Sequence, residues 1–146
     1  MSRYVTQQAA NEQAANEQAV NIISVLFVDD DEALAQSISR YFRRDSQIEM
    51  EIAFTALEAI RMTERKQFDV IISDWRMPTM NGVELLIILS RRSPHTKLIF
   101  ATAYPQAERM EKVVREAGVR LVLTKPLDLA ELRESLVRMM QLPDGA

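Results

Sequence analysis

From residue 22 onward, short apolar runs alternate with segments of helical period, and the alternation repeats five times. The first run is Val25-Leu26-Phe27-Val28, and the segment after it, residues 32–44, spaces Leu34, Ile38 and Tyr41/Phe42 three and four apart, the period of one helix face. A strand at 48–54 precedes a helix opened by Thr55, whose Glu58 completes a T-x-x-E capping box. The third run, 69–73, leads through a loop at 74–82 into a helix whose inner face is expected to carry Val83, Leu86, Ile87 and Ser90. The run Leu98-Ile99-Phe100-Ala101 precedes a helix that starts after Tyr104-Pro105 and stops at Gly118, with proline in the first turn and glycine past the last. The fifth run, Leu121-Val122-Leu123-Thr124, precedes a helix from Asp128 that buries Leu129, Leu132, Leu136 and Met139 or Met140.

Regular strand–helix alternation implies an α/β fold, a parallel sheet with helices on both faces. Runs one, three and four are apolar throughout, as strands covered on both faces must be. Ile48-Glu49-Met50-Glu51-Ile52 alternates instead, which suits an edge strand with one wet face, and Arg120 marks the last strand as the other edge. The expected architecture is therefore the flavodoxin-like, doubly wound (βα)5 fold with a five-stranded sheet of order 2-1-3-4-5. The domain spans residues 22–142, with a tail at 1–21 and a short one at 143–146. AANEQ occurs twice in tandem in the first tail. Its five-residue period scatters the alanines around a helix, so a solvated tail or frayed helix is expected, with a self-association helix as the alternative.

The polar residues that end these runs carry the chemistry. Asp29 and Asp30 follow the first, Asp74 the third, Thr102 the fourth and Lys125 the fifth. All fall at the carboxyl edge of the sheet, where ligands bind in this architecture. Three carboxylates at one edge repel one another and need a cation among them. Oxygen ligands without His or Cys match Mg²⁺, with Mn²⁺ as a substitute. Asp30 and Asp74 are the expected direct ligands, with Asp29 acting through water and Asp31 left to cap the helix. Asp74 is also a candidate nucleophile on phosphorus, with the Lys125 ammonium neutralising the incoming oxygens and Thr102 donating its hydroxyl. Pro126, after Lys125, fits a rigid cis turn. The lone His95 sits in an expected surface loop.

Composition excludes several other chemistries. No cysteine is present among the 146 residues, so disulfides and thiolate catalysis are out. A formal charge of −3 offers no basic stripe for nucleic acid. No apolar run could span a bilayer and no signal peptide is evident, so the cytoplasm is the expected compartment.

Over residues 24–140 the chain resembles the receiver domain of two-component response regulators. The resemblance rests on VLFVDDDEAL, DVIISDWRMPTMNGVELL, FATAY and LTKPL, and most specifically on D-x-x-M-P-x-M-x-G, met by Asp74, Met77, Pro78, Met80 and Gly82. It implies Asp74 as phosphoacceptor and Mg²⁺ held by Asp30, Asp74 and the backbone carbonyl of Arg76, with Asp29 acting through water. It also implies Thr102 as the switch hydroxyl and Lys125 as the phosphate-contacting lysine. The phosphodonor would be a histidine kinase, a histidine phosphotransfer protein or a small acyl phosphate. Phosphorylation would switch binding of an output partner or formation of a homodimer, the usual face being the fourth helix, fifth strand and fifth helix (Met110, Val114, Arg120, Val122, Met139). Enzymatic action would be limited to self-phosphorylation and self-dephosphorylation.

Three positions depart from the family pattern. Val122 stands where an aromatic residue is usual, which leaves Tyr104 as a substitute moving ring. Arg76 and Tyr104 together would flank the path of water toward an acyl phosphate, and Asn81 replaces a common Asp. Trp75 beside the acceptor is a surface-packing residue or a partner contact. Other readings stay open: a regulatory fragment of a larger response regulator, a haloacid-dehalogenase-type phosphatase, and a flavin carrier. The phosphatase places D-x-D after the first strand, whereas here Arg76 occupies the position of its general acid; the carrier needs a Ser/Thr-rich phosphate loop after the first strand, which is absent.

Overall fold

The computed structural model describes residues 22–74, 82–103 and 110–141, with the side chains of residues 83 and 110–113 outside that set. Five strands and five helices alternate: β1 (Ile23–Val28), α1 (Glu32–Phe42), β2 (Ile48–Ala53), α2 (Ala56–Arg65), β3 (Val70–Asp74), α3 (Gly82–Arg92), β4 (Lys97–Thr102), α4 (Met110–Ala117), β5 (Val119–Thr124) and α5 (Leu129–Gln141). The strands form one parallel sheet in the order β2-β1-β3-β4-β5. This is the doubly wound arrangement expected from the alternation.

Side chains of successive strand residues point to opposite faces, and both faces of the central strands are covered. Leu26, Val28, Ile71, Leu98 and Phe100 pack with Ala56 and Ala59 of α2 and with Leu85, Leu86 and Leu89 of α3. Val25, Phe27, Val70, Ile72 and Ile99 pack on the other face with Ile38 and Phe42 of α1 and Leu132 and Leu136 of α5. β2 is an edge strand, as its alternation required. Lys66 forms ion pairs with both Glu49 and Glu51, which blunts an edge that could otherwise pair with another chain.

The buried stripe of α3 differs from the sequence expectation. Leu85, Leu86 and Leu89 are buried while Ile87 and Ser90 are only half-buried; Val83 lies outside the described side chains. Burying a leucine stabilises by about 2 kcal/mol. The rotation that buries three leucines therefore prevails over one that would bury a serine with them, and it also turns Gly82 inward. α1 ends at Phe42, two residues before the expected end. The expected start of α4 after Tyr104-Pro105 lies outside the described residues, as does the 1–21 tail.

Helix ends follow the local chemistry. Asp31 caps α1, its Oδ1 accepting from Leu34 N–H at 3.1 Å. Thr55 Oγ1 accepts from Glu58 N–H at 3.1 Å, while the Glu58 carboxylate reaches back to Phe54 N–H at 3.2 Å, one residue earlier than the usual capping box. Asp128 caps α5 through Ala130 N–H and Glu131 N–H. Gly118, at φ +70°, turns the chain out of α4 into β5. The Lys125–Pro126 bond is cis. No described helix is long and apolar enough to cross a membrane.

Asp45, in the α1–β2 turn, ties that turn to α5. Its Oδ2 accepts from Arg133 Nε at 2.6 Å, and Arg133 also reaches Gln47. Burial works to raise the Asp45 pKa, but the Arg133 hydrogen bond and charge, with the backbone N–H groups of Gln47 and Ile48, hold it below the usual carboxylate range. A depressed folded-state pKa stabilises above the unfolded value near 4 and is lost as pH falls through the folded value. Asp45→Asn is expected to cost about 1 kcal/mol at pH 7. In urea titrations its deficit against wild type should shrink steadily below about pH 4.

Candidate functional site

Register brings the strand-ending polar residues to one level. Val28 pairs with Ser73, Asp74 with Ala101, and Thr102 with Thr124. The residues just beyond, Asp29 and Lys125, therefore flank Asp74 and Thr102 at the carboxyl edge. Oxygens of Asp29, Asp30 and Asp74 lie within 4.8 Å of one another. Asp29 is 1% exposed and Thr102 2% exposed, while Asp30 is open to solvent.

Lys125 is the cation that makes this cluster tolerable. Its Nζ donates to Asp29 Oδ2 at 2.6 Å and lies 3.2 Å from Asp74 Oδ1. Its backbone N–H donates to the Thr102 carbonyl at 2.8 Å, which locks the β5 end to the β4 end. Burial pulls the Lys125 pKa down. The hydrogen bond and charge of Asp29, followed by the charge of Asp74, outweigh that pull and hold it above the ordinary lysine value. Asp29 is fixed from its other oxygen as well, where Oδ1 accepts from Asp31 N–H at 3.0 Å. One ammonium against three carboxylates leaves an excess of negative charge. The donors are oxygens alone, a set that suits a hard divalent cation such as Mg²⁺.

The structure thus gathers Asp29, Asp30, Asp74, Thr102 and Lys125 at one edge, although they lie on separate crossovers. Arg76, its carbonyl, Tyr104, Trp75 and Asn81 lie outside the described residues. Val122 is half-buried and packs with the Phe100 and Leu98 side of the core. His95 is exposed on the α3–β4 turn, as expected. It lines a cavity of about 410 Å³ with Lys97, Gly118 and Arg120, at the opposite end of the sheet from the carboxylates.

Gly82 enters the sequence only as part of the motif and Ser73 only as the end of an apolar run, yet both shape the site. A Cβ placed on Gly82 would collide with the Asp74 carbonyl oxygen and stand 3.0 Å from Ser73 Oγ. The glycine of the motif is therefore required by close approach of α3 to the Asp74 backbone. Ser73 is fully buried and its hydroxyl donates to that same carbonyl at 3.1 Å. A serine at the end of an apolar run was the available signal, because a buried hydroxyl must find an acceptor.

The response regulator receiver domain family matches residues 25–137. The chain belongs to this family. A response regulator receiver protein of Anaeromyxobacter sp., Anae109_2439, is 34% identical over 102 residues, covering 70% of this chain and 42% of that protein. Chemotaxis protein CheY-3 of Vibrio cholerae is 27% identical over 121 residues, covering 82% of this chain and 92% of that protein. The signal receiver domain of an HD domain-containing protein from Pseudomonas fluorescens superposes with a TM-score of 0.76 at 25% identity, over 82% of this chain and 95% of that domain. Several relatives are longer: the response regulator FleR of Pseudomonas aeruginosa matches over 25% of its length. The receiver assignment and the expected sheet order stand together.

Gly82→Ala should therefore displace the Asp74 backbone as well as strain α3. We expect a loss of about 1–3 kcal/mol in urea unfolding and weaker Mg²⁺ binding in isothermal titration. Gly118→Ala, by contrast, should lower stability while leaving Mg²⁺ affinity unchanged.

Proposed function

We propose that this receiver domain accepts a phosphoryl group on Asp74 in a Mg²⁺-dependent reaction and relays that modification to a partner. The observation that carries the reading is the single ammonium of Lys125 ion-paired to both Asp29 and Asp74 within a cluster of three carboxylates. A carboxylate so placed lies beside the cation that would meet the oxygens of an incoming phosphoryl group as it attacks phosphorus.

In the step proposed, an Asp74 Oδ forms the new bond to phosphorus. The bond from phosphorus to the donor atom breaks, a nitrogen in phosphohistidine or an oxygen in an acyl phosphate, and its electron pair leaves with the donor. Lys125 swings no further than its existing reach to meet the incoming phosphoryl oxygens, exchanging part of its pairing with Asp74 for them. Thr102 offers its hydroxyl from the adjacent strand end. Asp30, Asp74 and the Arg76 carbonyl are assigned as metal ligands, with Asp29 acting through water. The ion would supply positive charge to the phosphoryl oxygens as they approach the acidic edge; Mn²⁺ fits the same oxygens. The donor is a histidine kinase or histidine phosphotransfer protein, or acetyl phosphate as a small substitute, and the compartment is the cytoplasm. Output proceeds through an output protein or domain or a homodimer, with no direct contact to nucleic acid.

Intact-mass spectrometry after incubation with acetyl phosphate and Mg²⁺ tests the assignment. Wild type is expected to gain one phosphoryl group, and Asp74→Asn or chelation by EDTA to abolish the gain; a labelled Asp74→Asn protein would falsify it. Lys125→Met is expected to reduce labelling at least tenfold while leaving Mg²⁺ binding measurable.

Arg76 and Tyr104 are assigned to flank the water path to the acyl phosphate, with Tyr104 taking the place of the aromatic that Val122 lacks. Excluding water lengthens the life of the phosphorylated state. Replacing both by alanine should speed phosphate release severalfold, and an unchanged half-life would overturn that role.

A further inference from the structure

Four large apolar side chains are exposed among the described residues, and two of them lie three residues apart at the corner between β2 and α2: Phe54, 40% exposed, and Leu57, 56% exposed. The buried residues of α2 are Ala56 and Ala59, so Leu57 points away from the core. Side-chain caps tie the backbone at this corner. Thr55 and Glu58 hold it from both sides, with Glu58 accepting from the N–H of Phe54 itself.

Its position relative to Asp74 follows from register. Ala53 pairs with Val28, and Val28 pairs with Ser73; Asp29 N–H donates to the Ala53 carbonyl at 3.0 Å. Phe54, Asp29 and Asp74 therefore stand at one level on three neighbouring strands. With strands about 4.8 Å apart, the backbone of Phe54 lies roughly 10 Å from that of Asp74. A standard protein interface covers about 800 Å² per partner, a disc of roughly 16 Å radius. A protein that brings a phosphoryl group to Asp74 can thus cover this corner without enlarging an ordinary interface. The segments that follow β1 and β2 at this edge expose four carboxylates, Asp30, Asp31, Glu32 and Glu58. Such an edge repels small anions and attracts a basic protein surface.

We propose that Phe54 and Leu57 are the apolar anchor on which a phosphohistidine-bearing protein docks, its own surface pairing an apolar patch with lysines or arginines that meet these carboxylates. The inference rests on reading Asp74 as the phosphoacceptor. Transfer breaks the nitrogen–phosphorus bond of the donor histidine, whose imidazole keeps the electron pair and takes up a proton, and forms the bond from Asp74 Oδ to phosphorus. The backbone that carries the pair is already tied by Thr55 and Glu58, so docking need not order the chain there. Neither residue touches the reacting atoms, so a small donor has no use for them.

That difference supplies the test. From a panel of purified, autophosphorylated histidine kinases, the one that labels the wild-type chain fastest serves as probe, with acetyl phosphate and Mg²⁺ as the parallel donor. The double variant Phe54→Gln, Leu57→Gln is expected to slow transfer from the kinase at least tenfold, with acetyl phosphate labelling and melting temperature unchanged. Ile22→Gln, which removes an exposed apolar side chain at the far end of β1, should leave both rates unchanged. Wild-type transfer should fall as salt is raised from 50 to 500 mM, and Glu32→Gln should flatten that dependence. Kinase transfer undiminished in the double variant overturns the docking role. So does an equal loss with both donors, since the pair would then act on the site itself, and so does a panel in which no kinase labels a chain that acetyl phosphate does label. Failure of acetyl phosphate to label wild type would instead count against the reading of Asp74.

Discussion

The ammonium of Lys125 between Asp29 and Asp74 is the interaction on which the rest depends. Two carboxylates within reach of each other at a sheet edge, one of them buried, would repel strongly in a medium of low polarity. The cation removes that penalty. Asp29 is held twice more, by the N–H of Asp31 on one oxygen and by the hydrogen bond of its own N–H to Ala53. Asp74 is held through its backbone, where Ser73 and Gly82 close on one carbonyl. Side chain and main chain of the site are thereby constrained by different elements.

The division of labour among the first three acidic residues after β1 follows from geometry. Asp31 turns back to cap α1, Asp29 turns inward to the lysine, and Asp30 is left exposed at the mouth. Three adjacent identical side chains thus take three different environments. The exposed one keeps its carboxylate open to solvent. The buried one carries the charge balance on which the site relies.

Most of the fold was legible because both faces of the sheet are covered. Uninterrupted apolar runs such as Val25 to Val28 can only be central strands, and the alternation of Ile48 to Ile52 can only be an edge. The site was legible because its polar residues interrupt those runs at the same end. What periodicity could not reveal was rotation. The segment from Gly82 carries apolar residues on two overlapping stripes, and the stripe that is buried also sets Gly82 against the Asp74 carbonyl at the end of the preceding strand. The link between Asp45 and Arg133, 88 residues apart, was likewise hidden, since nothing local marks either residue.

The ion pair that quiets the acidic edge joins residues 96 positions apart. Asp29 and Asp74 lie on strands adjacent in the sheet, whereas Lys125 follows the outermost strand and arrives only after β4 has been laid beside β3. A chain shortened before β5 keeps the mutual repulsion of its carboxylates and loses the group that offsets it. Closure of the far edge is therefore a condition for the near edge to be habitable, and a competent pocket is in itself a report that the whole sheet has been assembled.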